Sequence, residues 1–216
     1  MIDNSVIGDD RLAKQVEETL GLVIESAQKE FFEKGYENAS LRTIAQNAGV
    51  TTGALYVRFP NKDALFSALV SPVAEAWLDF YRKGEEVADT LSKENRPQDM
   101  WAISDEMVAQ MVHFIFSNRQ DFLLLLDKAS GSSYEHFLDD LVDEEVRQTI
   151  VFFNGLRDKG YDGTKVSQQD LHVLMSAQQY ALFEIVRHDT NPDEAAQRIR
   201  TVINFFQSGW QKILGV

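Results

Sequence analysis

A chain of 216 residues, 44% apolar and 25% charged, has material for one sizeable domain or for a small domain beside a larger one, and its composition is not that of a disordered protein. Zero cysteines exclude disulfides and thiolate metal sites, and no uninterrupted apolar run approaches the roughly 18 residues that cross a bilayer. A net charge of −13 argues against nucleic-acid affinity over the whole surface, so any anion-binding face has to be local.

Residues 1–9 read as a loose tail, and MIDNSVIGDDR has neither the basic region nor the apolar core of a secretory leader, so a cytoplasmic protein is expected. From about Asp10 to Lys34, Leu12, Val16, Leu20, Val23, Ala27 and Phe31 recur at spacings of three and four, the period of an amphipathic helix. Gly35 ends it and Tyr36 follows as an apolar plug. Ser40 is a good N-cap for a helix over Leu41–Ala48, and Gly49 supplies the turn after it. Thr51 or Thr52 caps a third helix to about Phe59, where Pro60 prevents its continuation.

Asn61 caps a long helix from about Lys62 to Thr90, and Pro72 inside it predicts a bend. A polar loop over Ser92–Gln98 precedes helices at about Gln98–Asn118, Gln120–Ser130 and Tyr134–Lys159, with glycine-containing breaks at 131–133 and 160–163. Two last helices, about Gln168–His188 and Pro192–Leu214, are separated by residues 189–191, with proline in the first turn of the second. No segment alternates apolar and polar residues. The predicted fold is all-α, with an N-terminal helix-turn-helix domain over 1–61 (the hairpin at about 40–59) and a larger helical bundle over 62–216.

Charge singles out one stretch. Residues 38–62 hold Arg42, Arg58 and Lys62 and no Asp or Glu, although acids outnumber Lys and Arg 34 to 21 in the whole chain. Residues 1–62 carry seven Lys/Arg against nine Asp/Glu, and residues 63–216 carry 14 against 25. A positive face on an acidic body favours one docking orientation toward an anion. Two short helices around a Gly turn, in the same stretch, are the arrangement that places a helix in the DNA major groove. Taken on spacing alone, an ordinary helical hairpin accounts for the pattern as well.

The wider string is more specific. Phe31-x3-Gly35-Tyr36, then Ser40-Leu41-Arg42-x-Ile44-Ala45-x2-Ala48-Gly49-Val50-Thr51-x-Gly53-Ala54-Leu55-Tyr56-x2-Phe59-x2-Lys62-x2-Leu65, resembles the N-terminal domain of TetR-family transcriptional regulators over about residues 23–66. The resemblance implies a homodimer that binds a palindromic double-stranded DNA operator, commonly as a repressor, and releases it when a small molecule occupies the larger domain. It places Ser40 and Arg42 on phosphates and puts Thr51, Thr52, Gly53 and Ala54 at the leading end of the recognition helix. Tyr56 would donate to a phosphate, Lys62 would add charge to another, and Val57 and Arg58 take positions facing the DNA, with Arg58 the stronger base or phosphate contact. Two positions depart from the family. Residues 19–22 lack the basic residue often found there, and Thr52 stands where a basic residue is frequent, so operator affinity should be modest or strongly salt-sensitive.

The larger domain is rich in aromatics and methionine, which serve equally to fill a helical core or to line a cavity for a flat or apolar ligand. Trp77, Trp101, Met107, Met111, Phe114 and Phe152 are the candidate lining residues for an unidentified apolar or aromatic effector, with His113 and Tyr180 as polar contacts. Leu171, Leu174, Leu182, Ile185, Ile199, Val202, Phe206 and Trp210 on the last two helices are the candidate dimer interface, since two adjacent amphipathic helices suit a four-helix bundle with their symmetry mates. No cofactor, metal site or catalytic residue is expected. The four histidines are scattered, no P-loop, nucleophile elbow or GxGxxG occurs, and the acids at 139–145 read as a solvated helix face. The alternative reading is a helical ligand- or partner-binding module without DNA binding.

Overall fold

A computed structural model describes residues 4–94, 96, 99, 105–161 and 163–215. The predicted ligand contact Trp101 and the expected helix start at Gln98 lie outside the described residues. Among those described there are nine helices and no strand: α1 (Asn4–Asn38), α2 (Leu41–Asn47), α3 (Thr52–Arg58), α4 (Lys62–Lys93), α5 (Asp105–Ser117), α6 (Arg119–Asp127), α7 (Phe137–Asp158), α8 (Gln168–His188) and α9 (Pro192–Leu214). The all-α expectation holds.

Local chemistry sets most of these boundaries. The Ser40 hydroxyl accepts from the Thr43 N–H at 3.3 Å, and the Thr51 hydroxyl accepts from the Ala54 N–H at 3.1 Å, which decides between Thr51 and Thr52 as the cap. Asn61 Oδ1 accepts from the Ala64 N–H at 2.7 Å, Ser167 Oγ from the Asp170 N–H at 3.1 Å, and Asn191 Oδ1 from the Asp193 N–H at 3.0 Å. Each satisfies a donor that the first helical turn leaves without an intrahelical partner. One boundary is corrected: α1 begins at Asn4, so residues 4–9 are helical rather than a loose tail. Extending an existing helix needs only one more bond per residue fixed, so weak propensity at 4–9 suffices once α1 has formed. At Gly35 the backbone turns to φ 72°, ψ 166°, and the three residues that follow form a separate turn.

The described residues fall into two compact units, one from Met1–Pro72 with Gln120–Glu135, the other from Val73–Arg119 with His136–Val216. In the first, Phe31 and Phe66 are fully buried and meet edge to face, with centroids 5.1 Å apart, and Tyr36 packs on Phe66 at 5.2 Å. Burial and the neighbouring Asp63 carboxylate raise the Tyr36 phenol above its ordinary pKa. The α6 segment belongs here through polar bonds: Gln28 Nε2 donates to Asp121 Oδ1 at 2.7 Å, the Tyr36 N–H to the Lys128 carbonyl at 2.9 Å, and the Ser133 N–H to Asp63 Oδ1 at 2.9 Å.

In the second unit, α7, α8 and α9 share a cluster of Val142, Val146, Phe153, Leu156, Leu171, Met175 and Trp210, with Phe152, Leu174, Phe206 and Ile213 packed partly buried against it. Trp210 Nε1 donates to Gln178 Oε1 at 2.9 Å, and the fully buried Gln179 donates to both Glu145 oxygens at 2.8 and 2.9 Å. Arg119 caps the end of α8, donating to the carbonyls of Val186 and Arg187 at 3.1 and 2.8 Å. The candidate dimer-interface residues differ in burial within their own chain. Leu171, Leu182, Ile185, Ile199 and Trp210 are buried within their own chain, and Leu174, Val202 and Phe206 are partly covered by it. A helix wedged between neighbours has an inward apolar stripe, and the most regular stripe is the inward one. Among the described side chains, the large apolar ones that α8 and α9 leave in solvent are Val173, Tyr180 and Phe205.

Candidate nucleic-acid interface

The hairpin α2–α3 is held from α1. Glu30, only 8% exposed, accepts the Ser40 N–H on Oε1 at 3.1 Å, and Ser26 donates its hydroxyl to the Ile44 carbonyl at 3.1 Å. Ile44, Ala45, Ala48 and Leu55 are buried where the short helices pack. Gly49 has φ 70°, the left-handed conformation that lets the chain reverse, and the Val50 N–H returns to the Ala45 carbonyl at 2.9 Å.

This arrangement uses very little of α3 for packing. Leu55 is the one buried side chain of that helix. Thr52 is half-buried, and Gly53, Ala54, Tyr56, Val57 and Arg58 are exposed, Val57 to 89%. Thr51, just ahead of the helix, is exposed and occupied as its cap. The exposed set is small or apolar at the leading end and ends in a cation, a surface that fits closely against a groove and its phosphates. Arg42 on α2 is exposed and, like Arg58, makes no ion pair among the described residues, so both guanidinium groups stand in water beside an acid-free stretch. Ser40 is half-buried, its oxygen already accepting in the cap of α2.

Lys62 has a different place from the free phosphate contact expected of it. Its ammonium donates to the carbonyls of Glu37 and Ala39 at 2.9 and 3.4 Å and stands 4.6 Å from the centre of the Tyr36 ring. A cation on the terminal carbonyls of a helix and over an aromatic face is a brace. Lys62 ties the start of α4 to the end of α1. Three supporting residues, Ser26, Gln28 and Glu30, were not found from the sequence, although one signal was there. Glu30 sits between Ala27 and Phe31 on the apolar face of α1, where a carboxylate needs a donor.

The effector candidates of the second unit are scattered in burial. Trp77 is buried beside Phe183, ring centres 5.5 Å apart, Met111 is buried, and Phe114 and Phe152 are half-buried, Phe152 against the α7–α9 cluster. Met107, His113 and Tyr180 are exposed. Among the described residues no group of three or more His, Asp or Glu converges as for a metal ion, and no helix is long and apolar enough to cross a membrane.

Residues 23–69 match the family model described as bacterial regulatory proteins, tetR family. Among curated proteins, the probable HTH-type transcriptional regulator ArpR of Pseudomonas putida is 36% identical over 81 residues, 38% of this chain and 38% of that protein. TtgR of Pseudomonas putida, an HTH-type transcriptional regulator, is 38% identical over 65 residues, 30% and 31% of the two chains. The HTH-type transcriptional repressor KstR2 of Mycobacterium tuberculosis is 32% identical over 99 residues, 46% and 48%. The chain thus spans less than half the length of each of these relatives. Solved structures share the fold over nearly the whole chain. PfmR from Thermus thermophilus superposes with a TM-score of 0.57 at 21% identity, covering 86% of this chain and 97% of that one. NalD of Pseudomonas aeruginosa does so with a TM-score of 0.52 at 19% identity, covering 88% and 96%.

Proposed function

We propose that the chain is, by its N-terminal region, a member of the TetR family of bacterial regulatory proteins and that it is a DNA-binding transcriptional repressor. The observation that carries the reading is α3 itself: one buried side chain, five exposed positions ending in Arg58, and no acid from residue 38 to residue 62. In a protein of net −13, such a face is repelled less from a polyanion than the surface around it. The names of its relatives support the direction of the effect, since KstR2 is a transcriptional repressor and NalD is the secondary repressor of a multidrug efflux pump.

Arg42, Tyr56 and Ser40 hold phosphates, while Thr52, Gly53, Ala54, Val57 and Arg58 meet base edges. Lys62 supports them by fixing the end of α1. The protein acts as a homodimer on a palindromic operator, because the two cations that the acid-free stretch leaves for DNA, Arg42 and Arg58, release too few counterions for tight binding alone. Val173 and Tyr180, seven residues apart on one face of α8, and Phe205 on α9 are the apolar surface offered to the second copy. A small apolar or aromatic effector in the helical bundle shifts the population away from the DNA-competent state. The site of action is the cytoplasm.

A gel shift with DNA flanking the protein's own coding region tests the reading. A saturable shift that weakens steeply with salt is expected; its absence with purified protein leaves the alternative of a helical ligand- or partner-binding module. Tyr56→Phe should weaken all operators alike, and Arg58→Gln should change the preferred sequence, by about 1–3 kcal/mol at the affected base. Equal effects across all sequences from both variants would refute the division into phosphate and base contacts.

A further inference from the structure

Between the first half of α1 and α3 lies a groove of about 440 Å³, well inside the size range of small-ligand pockets. It lies entirely within the first unit. Val16 and Leu20 on α1 form one wall, and Val50, Ala54, Val57 and Arg58 form the other. Thr19, also in the lining, donates its hydroxyl to the Gln15 carbonyl of its own helix at 2.7 Å, so that hydroxyl is already bonded. Val16 and Val57, 59% and 89% exposed, leave more apolar surface in water at the rim than packing of the hairpin requires.

Among the described residues Arg58 is the one charged residue in the lining, and it makes no ion pair there. A dry wall with a single cation at its edge matches a molecule with an apolar body and one negative head group: the body removes valine and leucine surface from water, and the head meets the guanidinium with charge-assisted hydrogen bonds. We propose that the α1–α3 groove is a binding site for a small amphiphilic monoanion such as an alkyl carboxylate. The site is separate from any cavity in the helical bundle. Ala54, Val57 and Arg58 belong both to the groove and to the exposed face of α3, so an occupant competes with DNA; that consequence rests on the proposed function, and the site does not.

Sodium decanoate and decyltrimethylammonium, both below their micelle concentrations, are titrated into the full-length protein carrying labelled Val and Leu methyl groups. Decanoate should give saturable shifts at Val16, Leu20, Val50 and Val57, and the cationic amphiphile should bind at least tenfold more weakly. Thr19→Phe, which fills the groove, should abolish the shifts with melting temperature unchanged, and Arg58→Gln should lower decanoate affinity at least tenfold. Equal binding of the two amphiphiles, no effect of Arg58→Gln, or shifts confined to methyl groups of the second unit would overturn the site. If Thr19→Phe melts early, Arg58→Gln and the head-group comparison decide the matter. The same titration with duplex DNA separates the two readings: shifts at the groove without any duplex binding defeat the DNA assignment alone, and duplex that stays bound at saturating decanoate defeats the competition.

Discussion

The hairpin α2–α3 and the layer α7–α8–α9 are both helical, yet they are held together by different forces. Across its seven residues α3 buries only Leu55, and its position comes from the Thr51 cap, the positive φ of Gly49 and the grip of Glu30 and Ser26 on α2. The longer α7 and α8 bury six and seven side chains and are placed by apolar interdigitation, with buried donors such as Gln179 Nε2 and Trp210 Nε1 bonded side chain to side chain. The difference teaches where each region is free to vary for function. A helix located by its ends keeps its faces for a partner. A helix located by its faces has little left to offer except at the rim, where Val173, Tyr180 and Phe205 stand.

The largest expected effect lies in the apolar layer of the second unit. Phe183, fully buried beside Trp77, should cost about 3–5 kcal/mol when cut to alanine, read from urea unfolding. A loss below about 1 kcal/mol would break the claim that apolar packing places this region. Next comes the turn of the hairpin. An added Cβ at Gly49 meets no heavy atom within 4 Å, so Gly49→Ala should cost only its backbone strain, about 1–2 kcal/mol, and Gly49→Asn less, by thermal denaturation.

Removing a cap tests the contrast most directly. Thr51→Ala and Ser167→Ala each delete the same kind of hydrogen bond, worth about 1 kcal/mol, from α3 and α8 respectively. Amide hydrogen exchange should speed up along all of α3, which has little else to hold it, and only in the first turn of α8. Equal spread of the effect through both helices would remove the distinction.

The smallest effect concerns Asp121, whose pKa is raised by burial, partly offset by the bond from Gln28. With the folded value above the unfolded one, the ionised carboxylate is a penalty at neutral pH, relieved as pH falls through the folded pKa toward the ordinary value of 3.8. Asp121→Asn keeps an oxygen acceptor for Gln28. It should melt slightly above the parent at pH 7, with the gain vanishing in acid; a half-buried group keeps the difference small. A gain that grows on acidification would contradict the sign.

Read by itself, the sequence determined the features that depend on neighbours three or four residues apart. The bounds of α8 and α9, the caps Ser40 and Asn61 and the Gly49 turn all stand where residue order puts them. The acid-free stretch and the family string are likewise linear properties, and α3 carries them on its exposed face. Tertiary structure alone decided which side of each amphipathic helix is spent. It turned Leu171, Ile199 and Trp210 inward, committed Lys62 to the end of α1, and drew α6 into the first unit through bonds from Gln28 to Asp121 and from Tyr36 to Lys128. It also left the α1–α3 groove open. The physical reason is one of range. A cap or a turn is satisfied by atoms within one helical turn, so its cause is written in consecutive letters. Burial is settled by whichever distant segment arrives first and best, and periodicity records that a face is apolar without recording what covers it.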